Sequence, residues 1–182
     1  MAILNAGLSF ANAPQESRKM FWGTPEVILL HAGTDLYRFL TPRGMHYGIV
    51  ENAQVVDPFS FGNRIISECW FDQEGLMTVV RAAHDSGLSI CDVARLGFAI
   101  RYKWNPTMEE FAWVKLGCEA LVLRGATNLR YFDPQLSGPG IPQIWLPNLF
   151  PNGVVVVGKT KVENLIPSFA GLKGGPVLHQ PV

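Results

Sequence analysis

An arginine in the middle of a short apolar segment demands a partner. Arg38 stands in Leu36-Tyr-Arg-Phe-Leu40. The alternation predicts a strand with Leu36, Arg38 and Leu40 on one face and Tyr37 and Phe39 on the other. Burying a lone charge is expensive. The guanidinium therefore needs a carboxylate, with Asp57, Glu68 and Glu119 as candidates, or an anion such as phosphate or pyrophosphate that its planar fork holds bidentately. Ser67, inside Ile65-Ile-Ser-Glu-Cys-Trp-Phe71, can hydrogen-bond a ligand or brace a neighbouring charged side chain; its plain structural role is a hydroxyl satisfied by nearby backbone. Gln143 opens Gln143-Ile-Trp-Leu-Pro147 after a glycine- and proline-rich hinge. It is either a glutamine bonded to backbone at a sheet edge or a hydrogen-bonding group facing the same cleft as Arg38 and Ser67.

Other chemistries find less support. His31, His46, His84 and His179 make no ligand spacing, and Cys69, Cys91 and Cys118 form no Cys-x-x-Cys pair. Neither a zinc site nor a disulfide framework is expected, and buried free thiols are the plain reading. A Cys–His nucleophile stays open, since such partners meet in space rather than in sequence. The dinucleotide glycine fingerprint, the P-loop, the zincin helix and the nucleophile elbow are all missing. Fifteen basic residues balance fifteen acidic ones, giving a formal charge of zero. With no Lys/Arg run, binding through phosphate neutralisation of a nucleic acid is disfavoured. The five tryptophans read as core and rim, because a base-stacking platform would need basic residues between them.

The elements that must position these residues follow from the pattern. Of the chain's 182 residues, 48% are hydrophobic and 16% charged, which suits one core-forming domain and argues against disorder. Eighteen glycines and 13 prolines exceed the usual share of about 12% and predict many turns and short strands. Val27–Leu30 is a short apolar run, and strands are expected at Leu36–Leu40, Ile65–Phe71, Phe98–Lys103, Ala112–Leu116, Glu119–Arg124, Pro142–Leu146 and Gly153–Lys159. Asp72 reads as the N-cap of a helix that stops at Gly87. Ser89 opens a second, ending near Gly97. Thr107–Glu110 is a capping-box pattern that predicts one more helical turn. His84 falls on a solvent-facing flank. The order of elements gives an α+β chain of mostly antiparallel strands with a few short helices, because a doubly wound fold would alternate strand and helix. Residues 1–25 read as a peripheral segment, 26–166 as one domain and 167–182 as a flexible tail. No stretch reaches the ~18 apolar residues of a membrane span. No clear signal peptide opens the chain, so a cytoplasmic location is expected, with delivery to another cell left open.

His31-Ala-Gly-Thr-Asp-Leu-Tyr-Arg-Phe39 resembles the opening strand of the ADP-ribosyltransferase superfamily, especially its bacterial toxin-type domains. Ile66-Ser67 with Trp70-Phe71 is similar to the family's second motif, and Gln143-Ile-Trp-Leu-Pro147 followed by Gly153-Val-Val-Val-Val157 to its third. About thirty residues carry the likeness. It implies two small packed sheets with NAD, as substrate, in the cleft between them and no metal. Arg38 would clamp the phosphates, Ser67 would brace the pocket, and Tyr37 or Trp70 would stack on nicotinamide. The family has a glutamate where this chain has Gln143. An amide can hydrogen-bond a ribose hydroxyl but cannot offset positive charge developing in the transition state, a loss typically on the order of 10²–10³ in rate. Glu119 or Glu68 would have to replace it. The resemblance thus implies an effector or toxin domain that passes ADP-ribose to a protein target or to water. The alternative is a catalytically inert protein-binding module on the same scaffold: an inhibitor, an adaptor, or a structural component of a secretion or phage particle.

Overall fold

The structure, a computed structural model, describes residues 2–40, 60–61, 64–65, 68–100, 107–149 and 153–164. Nine strands and four α-helices are assigned among them. In chain order they are α1 (Gln15–Lys19), β1 (Glu26–Leu30), β2 (Asp35–Leu40), β3 (Ser60–Phe61), β4 (Arg64–Ile65), β5 (Cys69–Trp70), α2 (Gln73–Ser86), α3 (Ile90–Gly97), β6 (Glu110–Leu116), β7 (Ala120–Asn128), α4 (Leu129–Phe132), β8 (Pro139–Trp145) and β9 (Val154–Lys161). A 3-10 turn, Val162–Asn164, follows. The chain is an α+β fold built on two small antiparallel sheets, as its element order predicts.

One sheet runs β1-β7-β8-β5 and the other β2-β6-β9, while β3 and β4 form a separate pair. All the strand pairings are antiparallel. Backbone hydrogen bonds join the two larger sheets next to β5. Directly after β5, Phe71 exchanges both backbone hydrogen bonds with Tyr37 of β2, at 2.8 and 3.1 Å. The segment Cys69–Phe71 therefore belongs to both sheets and fixes how their inner faces oppose each other.

Alternation then sorts the side chains. Leu36, Val114 and Leu116 from one sheet meet Trp70, Val122 and Ile144 from the other in a shared inner core. Tyr37, Phe39 and Phe111 point to the outer face, where α2 and α3 cover them with Leu76, Val79 and Val93. Phe71 and Phe98 stack there at 4.6 Å. Each such side chain, fully buried, contributes roughly 1.5–3 kcal/mol of transfer free energy.

The helices begin and end for local reasons. Asp72 accepts a hydrogen bond from Gly75 N at 2.9 Å and caps α2. Gly87 closes α2 at φ 69°, a left-handed conformation that costs glycine least. Ser89 caps α3 by accepting from Asp92 N.

Several expectations are corrected. Phe98 caps the end of α3 and Ala99 takes a positive φ of 51°, so the alternation at 98–100 marks a turn rather than a strand; the rest of that expected strand lies outside the described residues. Thr107–Glu110 does not start a helical turn. Met108 is left-handed, at φ 53°, and Glu110 already begins β6. A capping box is only a local signal, and here the pairing of β6 with β2 and β9 overrides it. β7 and β8 each reach further than their apolar runs, because ladder pairing carries them through Asn128 and back to Pro139.

Residues of the N-terminal segment pack against the four-stranded sheet. Leu4 bridges Ala120 and Phe21 bridges Thr127. Ala13 and Phe21 are buried against Leu123 and Trp145 on the outer face of the four-stranded sheet. An amphipathic segment with few charges covers a sheet face that would otherwise lie open. The tail 167–182 lies outside the described residues.

Candidate functional site

Arg38 is placed by the strand alternation that predicts it. It shares the inner face of β2 with Leu36, and its guanidinium carbon lies 5.9 Å from the centroid of the Trp70 ring. That arrangement is a cation–π contact. The side chain is half-buried. Loss of solvent pushes its pKa down to about 10, and the neighbouring Cys69 opposes the shift. The group stays protonated at neutral pH.

Arg38 is not the only arginine on this face. Trp70 pairs with Ile144, and Ile144 pairs with Arg124, so Trp70, Ile144 and Arg124 form one row on the inner side. Arg124 Nε donates to Asp72 Oδ2 at 2.8 Å and its Nη2 to Glu74 Oε2 at 2.5 Å. Burial lowers the Arg124 pKa, but the hydrogen bond and charge of Asp72, then those of Glu74, outweigh it and leave a net rise. The N-terminus of α2 is thus tied to the inner face by one guanidinium holding two carboxylates. Sequence reasoning gave Asp72 only its capping role and gave Arg124 none. The (72, 124) pairing depends on the register of β7, β8 and β5, which no local pattern encodes.

The remaining sequence-derived candidates scatter. Ser67 and Asp57 lie outside the described residues. Gln143 is on β8 one residue from Ile144 and points the other way. It is 4% exposed and its Nε2 donates to the Met20 carbonyl at 3.0 Å. Its cross-strand partner is Gly125. A Cβ there would meet Pro25 and Phe21, so the N-terminal segment lies against this patch. Gln143 and Arg38 are therefore on opposite sides of the four-stranded sheet.

Glu119 sits in the turn between β6 and β7, where its Oε1 lies 3.1 Å from His31 Nδ1. That turn lies beyond the Asp35↔Lys115 end of the β2–β6 ladder, while Arg38 pairs with Ala112. Glu68 Oε1 accepts from Asn148 N at 3.3 Å, near the end of β8. Tyr37 is 2% exposed and donates its hydroxyl to Gln73 Oε1 at 3.1 Å. Burial, with help from the Asp35 charge, pushes its pKa up to about 12. Trp70 is also 2% exposed. In this conformation neither ring offers a face to a nicotinamide. The structure brings Arg38 and Trp70 together, adds Arg124, Asp72 and Glu74 to the same inner side, and leaves Tyr37, Gln143 and Glu119 elsewhere.

Among the described residues, no group of three or more His, Cys, Asp or Glu side chains is placed to hold a metal, and no helix is long and apolar enough to cross a membrane. His84, 87% exposed in its side chain, faces solvent beside Asp85. Compared with protein-family models, characterised proteins and solved structures, the chain matches none.

Proposed function

We propose that the domain binds NAD on its inner face through Arg38, as the resemblance to ADP-ribosyltransferases implies. The observation that carries this reading is a guanidinium held between two sheets and desolvated enough that its pKa falls. The planar fork of a guanidinium is suited to holding an anion bidentately, and a pyrophosphate is such an anion. Trp70 takes a different role from the one first assigned to it. Buried behind Arg38, it orients the guanidinium through its ring instead of stacking on nicotinamide. Release of nicotinamide and transfer of ADP-ribose to a protein or to water would follow in an active enzyme. The acid for that step is not Gln143, whose amide is committed to Met20.

This last point favours a second reading, the inert protein-binding module. A chain that keeps the inner-face arginine but spends the third-motif position on holding its own N-terminal segment has the scaffold without the chemistry. Titration calorimetry with NAD, alongside a nicotinamide-release assay, separates the two. Binding that is lost in Arg38→Gln and weakened in Arg38→Lys supports the NAD site, and nicotinamide release would add the activity. Absence of heat, of a thermal shift and of released nicotinamide would refute NAD binding and leave the module.

A further inference from the structure

We propose that β1 is the contact strand of a two-fold symmetric dimer, in which two copies of the chain join their four-stranded sheets edge to edge. The proposal concerns the edge of the four-stranded sheet opposite β5 and does not depend on NAD binding.

The backbone makes the first part of the case. β1 is the outer strand of its sheet and pairs on one side with β7. The phase of that pairing is fixed by a neighbour. Leu4 donates to Glu119 O and accepts from Leu121 N, so Glu119 and Leu121 turn their polar groups away from β1. Leu121 lies opposite Leu29, and Leu123 lies opposite Val27. In an antiparallel ladder, opposed residues either both face each other or both face away. The N–H and C=O groups of Val27 and Leu29 therefore point out of the sheet, toward its free edge. Among the described residues no strand pairs with them there. An edge of this kind is a template for another strand.

The side chains make the second part. Val27 and Leu29 are 44% and 39% exposed, among the few large apolar residues left open to solvent. Beyond Glu26 at its start, β1 contains no charge and no proline, two devices that block edge pairing. A second copy satisfies both features at once. Laid antiparallel about Ile28, Val27 of one copy stands opposite Leu29 of the other. These are the two residues whose polar groups point outward, so each pair exchanges two hydrogen bonds, four in all. Their side chains share the outer face and cover one another. Ile28 meets its own symmetry mate on the inner face. Glu26 falls opposite Leu30, so the two like charges do not meet. Hydrogen-bond phase, side-chain register and charge agree under a single two-fold axis, which is the self-complementarity that an isologous interface requires.

The test is sedimentation velocity on the full chain over a wide range of concentration. The expected result is a species of twice the 20.1 kDa chain mass that dissociates on dilution. Val27→Pro removes an outward N–H without touching the ladder to β7, and should return the protein to monomer with an unchanged circular dichroism spectrum. Leu29→Lys attacks the same contact through its side chain and should do likewise. Ile28→Cys should give, on mild oxidation, a disulfide linking position 28 to itself, mapped by mass spectrometry. A wild-type protein that is monomeric at every concentration overturns the proposal, including the case in which this edge serves a different protein. So does a dimer that survives both edge variants.

Discussion

The substitution Gln143→Glu introduces the carboxylate that the proposed likeness to ADP-ribosyltransferases would call for, and its outcome follows from where Gln143 points. The Nε2 group is buried and donates to Met20 O at 3.0 Å. The same carbonyl also accepts Asn128 N–H at 2.8 Å, so it keeps a donor when the amide is removed. The cost falls on the new carboxylate, which would be buried facing a carbonyl oxygen. It can escape by taking a proton, which it then donates to Met20 O. Holding a carboxyl of ordinary pKa near 4.3 protonated at pH 7 costs about 3.7 kcal/mol, and that sets the ceiling. A loss of about 2–3.5 kcal/mol at pH 7 is therefore expected. The sign of its pH dependence is fixed. The folded-state pKa is raised above the unfolded value, so the variant matches wild type most closely below pH ~4 and falls behind as pH rises through the folded pKa. Urea unfolding followed by tryptophan fluorescence, with wild type and variant compared at each pH, measures this directly. A nicotinamide-release assay on the same samples should show no activity gained by the variant. Equal stability at pH 7, or the appearance of NAD cleavage, would refute the placement of Gln143 on the outer face.

Three further outcomes follow from the geometry. Asp72→Ala removes both the α2 cap and the partly buried contact to Arg124 and should cost about 2–3 kcal/mol; Asp72→Asn, which keeps a capping oxygen, should lose less, and equal losses would contradict the division of labour between the two oxygens. Tyr37→Phe should cost about 1 kcal/mol at neutral pH through the lost bond to Gln73. Because burial and the Asp35 charge raise the Tyr37 pKa from 10.0 to about 12, wild type should lose that advantage as pH climbs through 10 to 12, and a constant gap between the two proteins in alkaline urea titrations would count against it. Gly140→Ala would drive a Cβ into the Gly97 carbonyl and the side chains of Leu129 and Thr127, at a cost of about 1–3 kcal/mol, seen as a lowered urea midpoint; no change would mean that β8 and the end of α3 are less closely apposed.

Legibility in the sequence tracked the range of the interactions involved. The starts of α2 and α3 are readable because a cap is decided within four residues, at Asp72 and Ser89; α1 and α4 have no side-chain cap and no such signal. The face of β2 was readable because alternation puts Arg38 with Leu36 and Tyr37 with Phe39. What failed depended on distant pairing. Nothing near Phe98 announces that its alternation ends in the left-handed Ala99, and nothing near Arg124 announces a carboxylate 52 positions away. Gln143 shows the difference most clearly. Its strand was recognised, but the side it faces depends on the register with β7 and on the N-terminal segment lying against it.

That segment deserves weight in any account of what the domain does. Asn5 donates through Nδ2 to the Pro147 carbonyl and accepts through Oδ1 from Asn148 Nδ2, Met20 O holds Gln143 and Asn128, and Trp22 N donates to Ala126 O. Leu4 is thus tied to the edge of β7, and residues 8–21 are fastened along the outside of the same sheet whose inside carries Arg124 and Trp70. A sheet clamped on one face by its own chain and on the other by an inner core has little freedom to open. If NAD binds at Arg38, movement has to come from the elements around β2 and β5, where the two sheets are joined through the bridge between Tyr37 and Phe71. The ligand response of the fold is therefore expected at that junction and not at the fastened sheet. Hydrogen exchange in the presence of NAD would show it as changed protection at Tyr37 and Phe71, with β7 and β8 unaffected.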